Sequence, residues 1–144
     1  YRMSNICAGI GRGQMEVLAD RVEARRAMNK FYQELFADID GVTVFSEPTS
    51  DYFSNHWLSA ILIDPKVAGK TREELRLAFL EDEIESRPLW KPMHMQPVFA
   101  DSPYYGGTVA EELFENGLCL PSGSNLTDAE RERITAKVKE VFGK

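Results

Sequence analysis

Cysteine, histidine and tryptophan are scarce in this 144-residue chain, with two of each. Cys7 and Cys119 stand far apart in apolar or small-residue company, without a CxxC or Cys/His spacing. That argues against a disulfide framework and a metal site, and reads as two reduced thiols, core or half-buried, which favours the cytoplasm. No apolar run is long enough to span a bilayer and nothing resembles a signal peptide, so no membrane is expected. Basic side chains are outnumbered 17 to 23, for a net charge of -6, and no helix face is basic. A nucleic-acid partner is therefore not expected. Internal repeats and low-complexity tracts are also lacking.

Against this acidic background, residues 87–99, RPLWKPMHMQPVF, contain no carboxylate. They gather Arg87, Trp90, Lys91 and His94 among three prolines. Positive charge beside a large aromatic on a stiffened backbone suits an anionic ligand carrying a flat ring. The plainer reading is a surface loop with incidental basic residues.

Proline is missing from residues 4–39, where Leu18, Val22, Met28, Leu35 and Ile39 recur at helical spacing. An unbroken helix of that length would run roughly 50 Å, against a radius of gyration of about 15 Å for a compact domain of this size. It must kink or reach past its own domain. Gly9, Gly11 and Gly13 weaken its first half by about 1 kcal/mol each unless close packing compensates, which points to a neighbour outside this chain. Their GIGRG pattern is not a dinucleotide fingerprint, because Gln14 takes the last glycine's place and no strand precedes it.

Downstream, Val42, Val44 and Phe45 read as a short strand, residues 47–55 as a loop, and 57–63 as a buried strand closed by Asp64 and Pro65. Thr71 with Glu74, and Thr127 with Glu130, are capping-box patterns that open two helices. Between them lie an extended stretch at 84–89, a Tyr104 to Gly107 turn, a short helix at 108–116 and a strand at 118–120. Ile134, Val138 and Val141 give the last helix one apolar stripe. The expected fold is α+β: a long N-terminal helix over residues 1–39, then a small, mainly antiparallel sheet covered by helices over 40–144. Lys30, Lys137, Lys139 and Lys144 fall on helices or at the end of the chain and read as solvated; Lys66 and Lys70 flank a turn.

Three stretches carry a family resemblance. The opening YRMSNICAGIGRGQMEVLADRVEARR, with Arg25 and Arg26 as its arginine pair, resembles the run after the cofactor lysine in the DegT/DnrJ/StrS family of sugar aminotransferases. ESRPLWKPMHMQPVF at 85–99 and LCLPSGSNLT at 118–127 are similar to the branch that aminates UDP-linked 4-keto-6-deoxy-N-acetylhexosamines. The resemblance covers essentially the whole chain. It implies the small C-terminal domain of a fold-type I pyridoxal 5'-phosphate enzyme, a homodimer with active sites between subunits, and amino transfer from glutamate to a nucleotide-linked ketosugar for bacterial surface polysaccharide or glycan synthesis. It also implies that the cofactor lysine and the acid facing the pyridine nitrogen lie upstream, leaving no catalytic, cofactor-binding or metal residue in this chain.

What the resemblance leaves here is a substrate side. Arg2 reads as a diphosphate or cofactor-side contact across the dimer, or equally as a structural salt bridge. Trp90 and Lys91 read as stacking on uracil and neutralising phosphates, with plain core as the alternative for Trp90. His94 reads as a hydrogen-bond partner of a phosphate or sugar hydroxyl. His56 reads as a contact near the sugar, or as a satisfied structural histidine. Arg87 is expected to pair with Glu85 or another nearby acid. Ser122, Gly123 and Ser124 replace the LPLHP form of the wider family, making room for an N-acetyl group or simply a turn. Two other readings stay open: a dehydratase of the same family, and a nucleotide-sugar binding module without catalysis.

Overall fold

The computed structural model describes residues 2–144. The proline-free segment forms two helices, α1 (Asn5–Glu16) and α2 (Leu18–Leu35), separated at Val17, where the backbone leaves helical geometry. The Ser4 hydroxyl starts α1 by accepting the Cys7 N–H at 3.2 Å. No residue of α1 is buried, and Ile6 is 76% exposed. Methyl groups built at Gly9, Gly11 or Gly13 would meet nothing within 4 Å, so these glycines serve no close packing within this chain. Cys7 is exposed rather than core or half-buried, because no residue of α1 is buried among the described residues; Cys119 is buried.

The later turns of α2 enter the core through Met28 and Tyr32, with Phe36 just beyond. Four strands follow: β1 (Val42–Val44), β2 (Ser59–Ile63), β3 (Arg87–Pro88) and β4 (Gly117–Leu120). They form one antiparallel sheet in the order β1-β2-β4-β3, with Val42 opposite Ile63, Ser59 opposite Leu120 and Arg87 opposite Cys119. Ser59, Ile61 and Ile63 alternate inward, as strand periodicity requires. The stretch expected as a strand from residue 57 starts pairing only at Ser59. His56 takes a left-handed backbone, φ 44°, and Trp57 N–H turns to the Asn55 side chain, so Trp57 leaves the ladder and is exposed.

Helices α3 (Pro65–Ala68), α4 (Arg72–Glu81), α5 (Val109–Asn116) and α6 (Asp128–Phe142) complete the domain. The short α3 was not expected: Asp64 caps it and Pro65 begins it, where the sequence read as the end of a strand. Both capping boxes close reciprocally, at Thr71–Glu74 and Thr127–Glu130. The proline segment contains two single 3-10 turns, Met93–Met95 and Pro97–Phe99. Leu75 and Phe79 of α4 and Ile134 and Val138 of α6 join α2 over Ile61, Ile63, Leu118 and Leu120 as the core. Burying each such side chain contributes about 1.5–3 kcal/mol.

Lys137 is not solvated; at 8% exposure it sits between Asp82 (3.1 Å) and Glu140 (2.8 Å), tying α6 to the end of α4. No described helix is long and apolar enough to cross a membrane.

Candidate functional site

Arg25 and Arg26 are neighbours on α2, so their side chains leave the helix about 100° apart and hold different loops. The Arg26 guanidinium donates to Glu47 Oε1 at 2.6 Å and to the Ser54 carbonyl, and lies 4.3 Å from the centre of the Phe53 ring. Glu47 also accepts the Ser54 N–H at 3.1 Å, and its second oxygen pairs with His56 Nε2 at 3.2 Å. Arg26 first, then backbone N–H groups and His56, hold the Glu47 carboxyl far below the usual carboxylate range, at about 2. His56 is 8% exposed with its imidazole turned toward Glu47. Left-handed backbone at a residue other than glycine is uncommon, and it aims successive side chains apart: His56 inward, Trp57 outward.

Arg25 donates to the carbonyls of Trp57 and Ser122, the latter at 3.0 Å. Further polar contacts secure the second of these loops. Tyr32, fully buried with its phenol pushed up by desolvation, donates to the Pro121 carbonyl at 2.7 Å. Ser59 N–H donates to Ser122 Oγ at 2.8 Å, and that hydroxyl donates to the Leu120 carbonyl at 2.7 Å. The loop replacing the family's LPLHP form is thus anchored from α2 and β2.

Trp57 meets Trp90 with ring centres 6.4 Å apart and planes tilted 35°. Both indoles face solvent, 62% and 68% exposed. Trp90 is not core. It lies at a cavity of about 620 Å³ bounded by Ser86, Leu120, Ser122, Asn125 and Ile134. A concave, mainly apolar wall with a few polar groups suits a small organic ligand, and exposed aromatic faces beside it suit a flat ring.

The remaining expected residues are placed separately. His94 stacks on Tyr104 at 3.8 Å, and its Nε2 lies 2.8 Å from Glu111 Oε1. Lys91 is exposed, with its carbonyl accepting from Gln96 Nε2 at 3.4 Å. Arg87 pairs with Glu85 at 2.6 Å, both exposed. Arg2 is exposed ahead of α1. The structure therefore joins Trp90 to Trp57 and to the Ser122 loop, turns His56 toward Glu47, and gives His94 an acidic partner. Trp57 and the carbonyl grip of Arg25 were not foreseen.

No lysine lines the 620 Å³ cavity. Lys137 is engaged by two acids, and Lys30 and Lys70 pair with glutamates one turn away. The cavity lining thus offers no amine to bind pyridoxal phosphate covalently. Among the described residues no group of three or more His, Cys, Asp or Glu could hold a metal ion.

Residues 1–139 match the family model of the DegT/DnrJ/EryC1/StrS aminotransferase family. EpsN of Bacillus subtilis (strain 168), which carries the name of a pyridoxal phosphate-dependent aminotransferase, is 40% identical over 99% of this chain and 37% of its own length. The GDP-perosamine synthase of Escherichia coli O157:H7 is 30% identical over 99% of this chain and 37% of its own length. Among solved structures, a DegT DnrJ EryC1 StrS aminotransferase from Brucella abortus superposes with a TM-score of 0.83 at 25% identity, covering 99% of this chain and 37% of that one. The chain spans about 37% of the length of these relatives, and its α+β architecture matches their C-terminal part. With the sequence match and the fold in agreement, the chain belongs to the DegT/DnrJ/EryC1/StrS aminotransferase family.

Proposed function

We propose that this chain is the substrate-side C-terminal part of a pyridoxal phosphate-dependent aminotransferase that moves an amino group from glutamate to a nucleotide-linked 4-keto-6-deoxy sugar. The observation that carries the reading is the exposed Trp57–Trp90 pair beside the 620 Å³ cavity. Two large aromatics left in water are costly unless something covers them, and a nucleotide base is a flat ring of suitable size. The name GDP-perosamine synthase, a relative 30% identical, supports a nucleotide sugar as the substrate class; UDP is the nucleotide that the 85–99 and 118–127 stretches suggest.

In this reading Trp90 gives its face to the base, while Lys91, and Arg2 from across a dimer, neutralise the diphosphate. His94, oriented by Glu111, hydrogen-bonds a phosphate or sugar hydroxyl. His56, paired with Glu47 at 3.2 Å, takes the place near the sugar. The uncovered apolar side chains of α1, Ile6, Ile10 and Met15, meet the rest of a homodimer. Pyridoxal phosphate, held mainly by residues outside this chain, would supply the electron sink for amino transfer. The test is a spectral titration of the full-length protein with glutamate. The reading expects the band of the lysine-bound cofactor to fall as the pyridoxamine band rises; an unchanged spectrum refutes it.

A further inference from the structure

We infer that Arg25 is a positioning residue for the nucleotide, acting through Trp57 and never touching the ligand itself. The inference rests on the substrate reading above and adds Arg25 to it. Three segments distant in sequence converge here: the turn at Trp57, the proline segment at Trp90 and the loop at Ser122. Arg25 bridges the first and third by side-chain hydrogen bonds, both to main-chain carbonyls, beside the Ser59 N–H to Ser122 Oγ bond.

The geometry explains why such a clamp is needed. Trp57 stands outside the β-ladder, and its N–H is satisfied by Asn55 rather than by a neighbouring strand. Its backbone follows the left-handed turn at His56, whose imidazole is fixed by Glu47 and thus by Arg26. The two arginines therefore hold the turn from both sides, Arg26 at residues 47–56 and Arg25 at residue 57. Trp57 then meets Trp90 at 6.4 Å, so that two indoles form one apolar platform wider than either. Without the Arg25 grip, the hydrogen bond to Asn55 and the contact with Trp90 are left to hold Trp57, and the platform loosens. The same guanidinium holds Ser122 at the cavity wall, which couples the aromatic platform to the pocket beside it. A planar guanidinium can serve two carbonyls at once, whereas an ammonium on a flexible stem serves them less rigidly.

The experiment uses the full-length holoenzyme and isothermal calorimetry with UDP, GDP and TDP as probes. Arg25→Ala and Trp57→Ala each weaken the preferred nucleotide about tenfold, and the double variant is no weaker than either alone, since both remove the same platform. Trp57→Phe retains most of the affinity, and Arg25→Lys falls between Arg25→Ala and the wild type. The glutamate half-reaction, which needs no sugar, stays within about twofold in Arg25→Ala and Arg25→Lys, a split that general misfolding does not give. Wild-type affinity in Arg25→Ala overturns the inference alone, as does a double variant whose losses multiply. A glutamate half-reaction that falls in step with nucleotide affinity also overturns it. If the wild type reacts with glutamate but binds none of the three nucleotides, the substrate reading falls and takes the inference with it.

Discussion

Replacing Trp90 by alanine in the full-length enzyme separates binding from folding. The indole is 68% exposed, so its removal opens no cavity in the core. Its structural contribution is the tilted contact with Trp57 at 6.4 Å, and aromatic pairs are worth about 0.5–1.5 kcal/mol, the lower part of that range when both rings are in water. Stability should therefore fall by less than about 1 kcal/mol in a urea titration, near the range of ordinary surface substitutions. Stacking of a base on an aromatic face contributes about 1–3 kcal/mol. The sugar nucleotide KM, and the calorimetric Kd of the matching nucleoside diphosphate, should therefore rise roughly 5- to 150-fold, with kcat little changed. Trp90→Phe keeps a ring and should lose only a small part of this. An unchanged KM refutes the reasoning. So does a rise that comes with more than about 2 kcal/mol of lost stability, because Trp90 would then be part of the fold rather than of the site.

Glu47 supplies a pH test. Its folded-state carboxyl is depressed from the ordinary 4.5 to about 2, chiefly by Arg26. A depressed carboxyl stabilises the fold fully above its unfolded value, and that contribution is lost as pH falls from about 4.5 toward 2. Thermal melts across that window should show Glu47→Gln to be destabilised at neutral pH and the gap to the wild type to close as acid is added; a constant gap contradicts the network. At Gly117 a methyl group would lie 2.2 Å from Leu89 Cδ1 and 2.3 Å from the Leu113 carbonyl oxygen. Since a backbone atom must move, Gly117→Ala should cost about 1–3 kcal/mol by urea titration, and a neutral result would show that β4 has slack beside α5.

Features of this fold set by neighbours in sequence were readable in advance. Thr71 with Glu74 and Thr127 with Glu130 announce helices because both partners of each capping box lie within four residues. Ile61 and Ile63 announce a strand by alternation. The break at Val17 carries no proline or glycine, and it falls between two helices whose surroundings differ, one uncovered and one packed. Trp57 read as strand because the residues that follow it, Leu58 to Ile63, are nearly all apolar. Only the left-handed turn at His56, for which sequence offers no marker, removes it from the ladder. Lys137 read as solvated because its partner Asp82 is 55 positions away.

The candidate site was legible to a similar depth. Residues 87–99 stood out by composition, and Trp90 is exposed beside a cavity. The arginine pair was visible as a motif, whereas its work is not: Arg25 and Arg26 act on the carbonyls of residues 28 to 97 positions away, and carbonyls have no sequence signature.

The most direct measurement follows the amino nitrogen itself. Full-length protein is supplied with isotope-labelled glutamate and a UDP-linked 4-keto-6-deoxy-N-acetylhexosamine, and the nucleotide sugar is weighed by mass spectrometry. The account predicts an aminated sugar carrying the label. A product that has lost water without gaining nitrogen, or a ketosugar recovered unchanged, contradicts it.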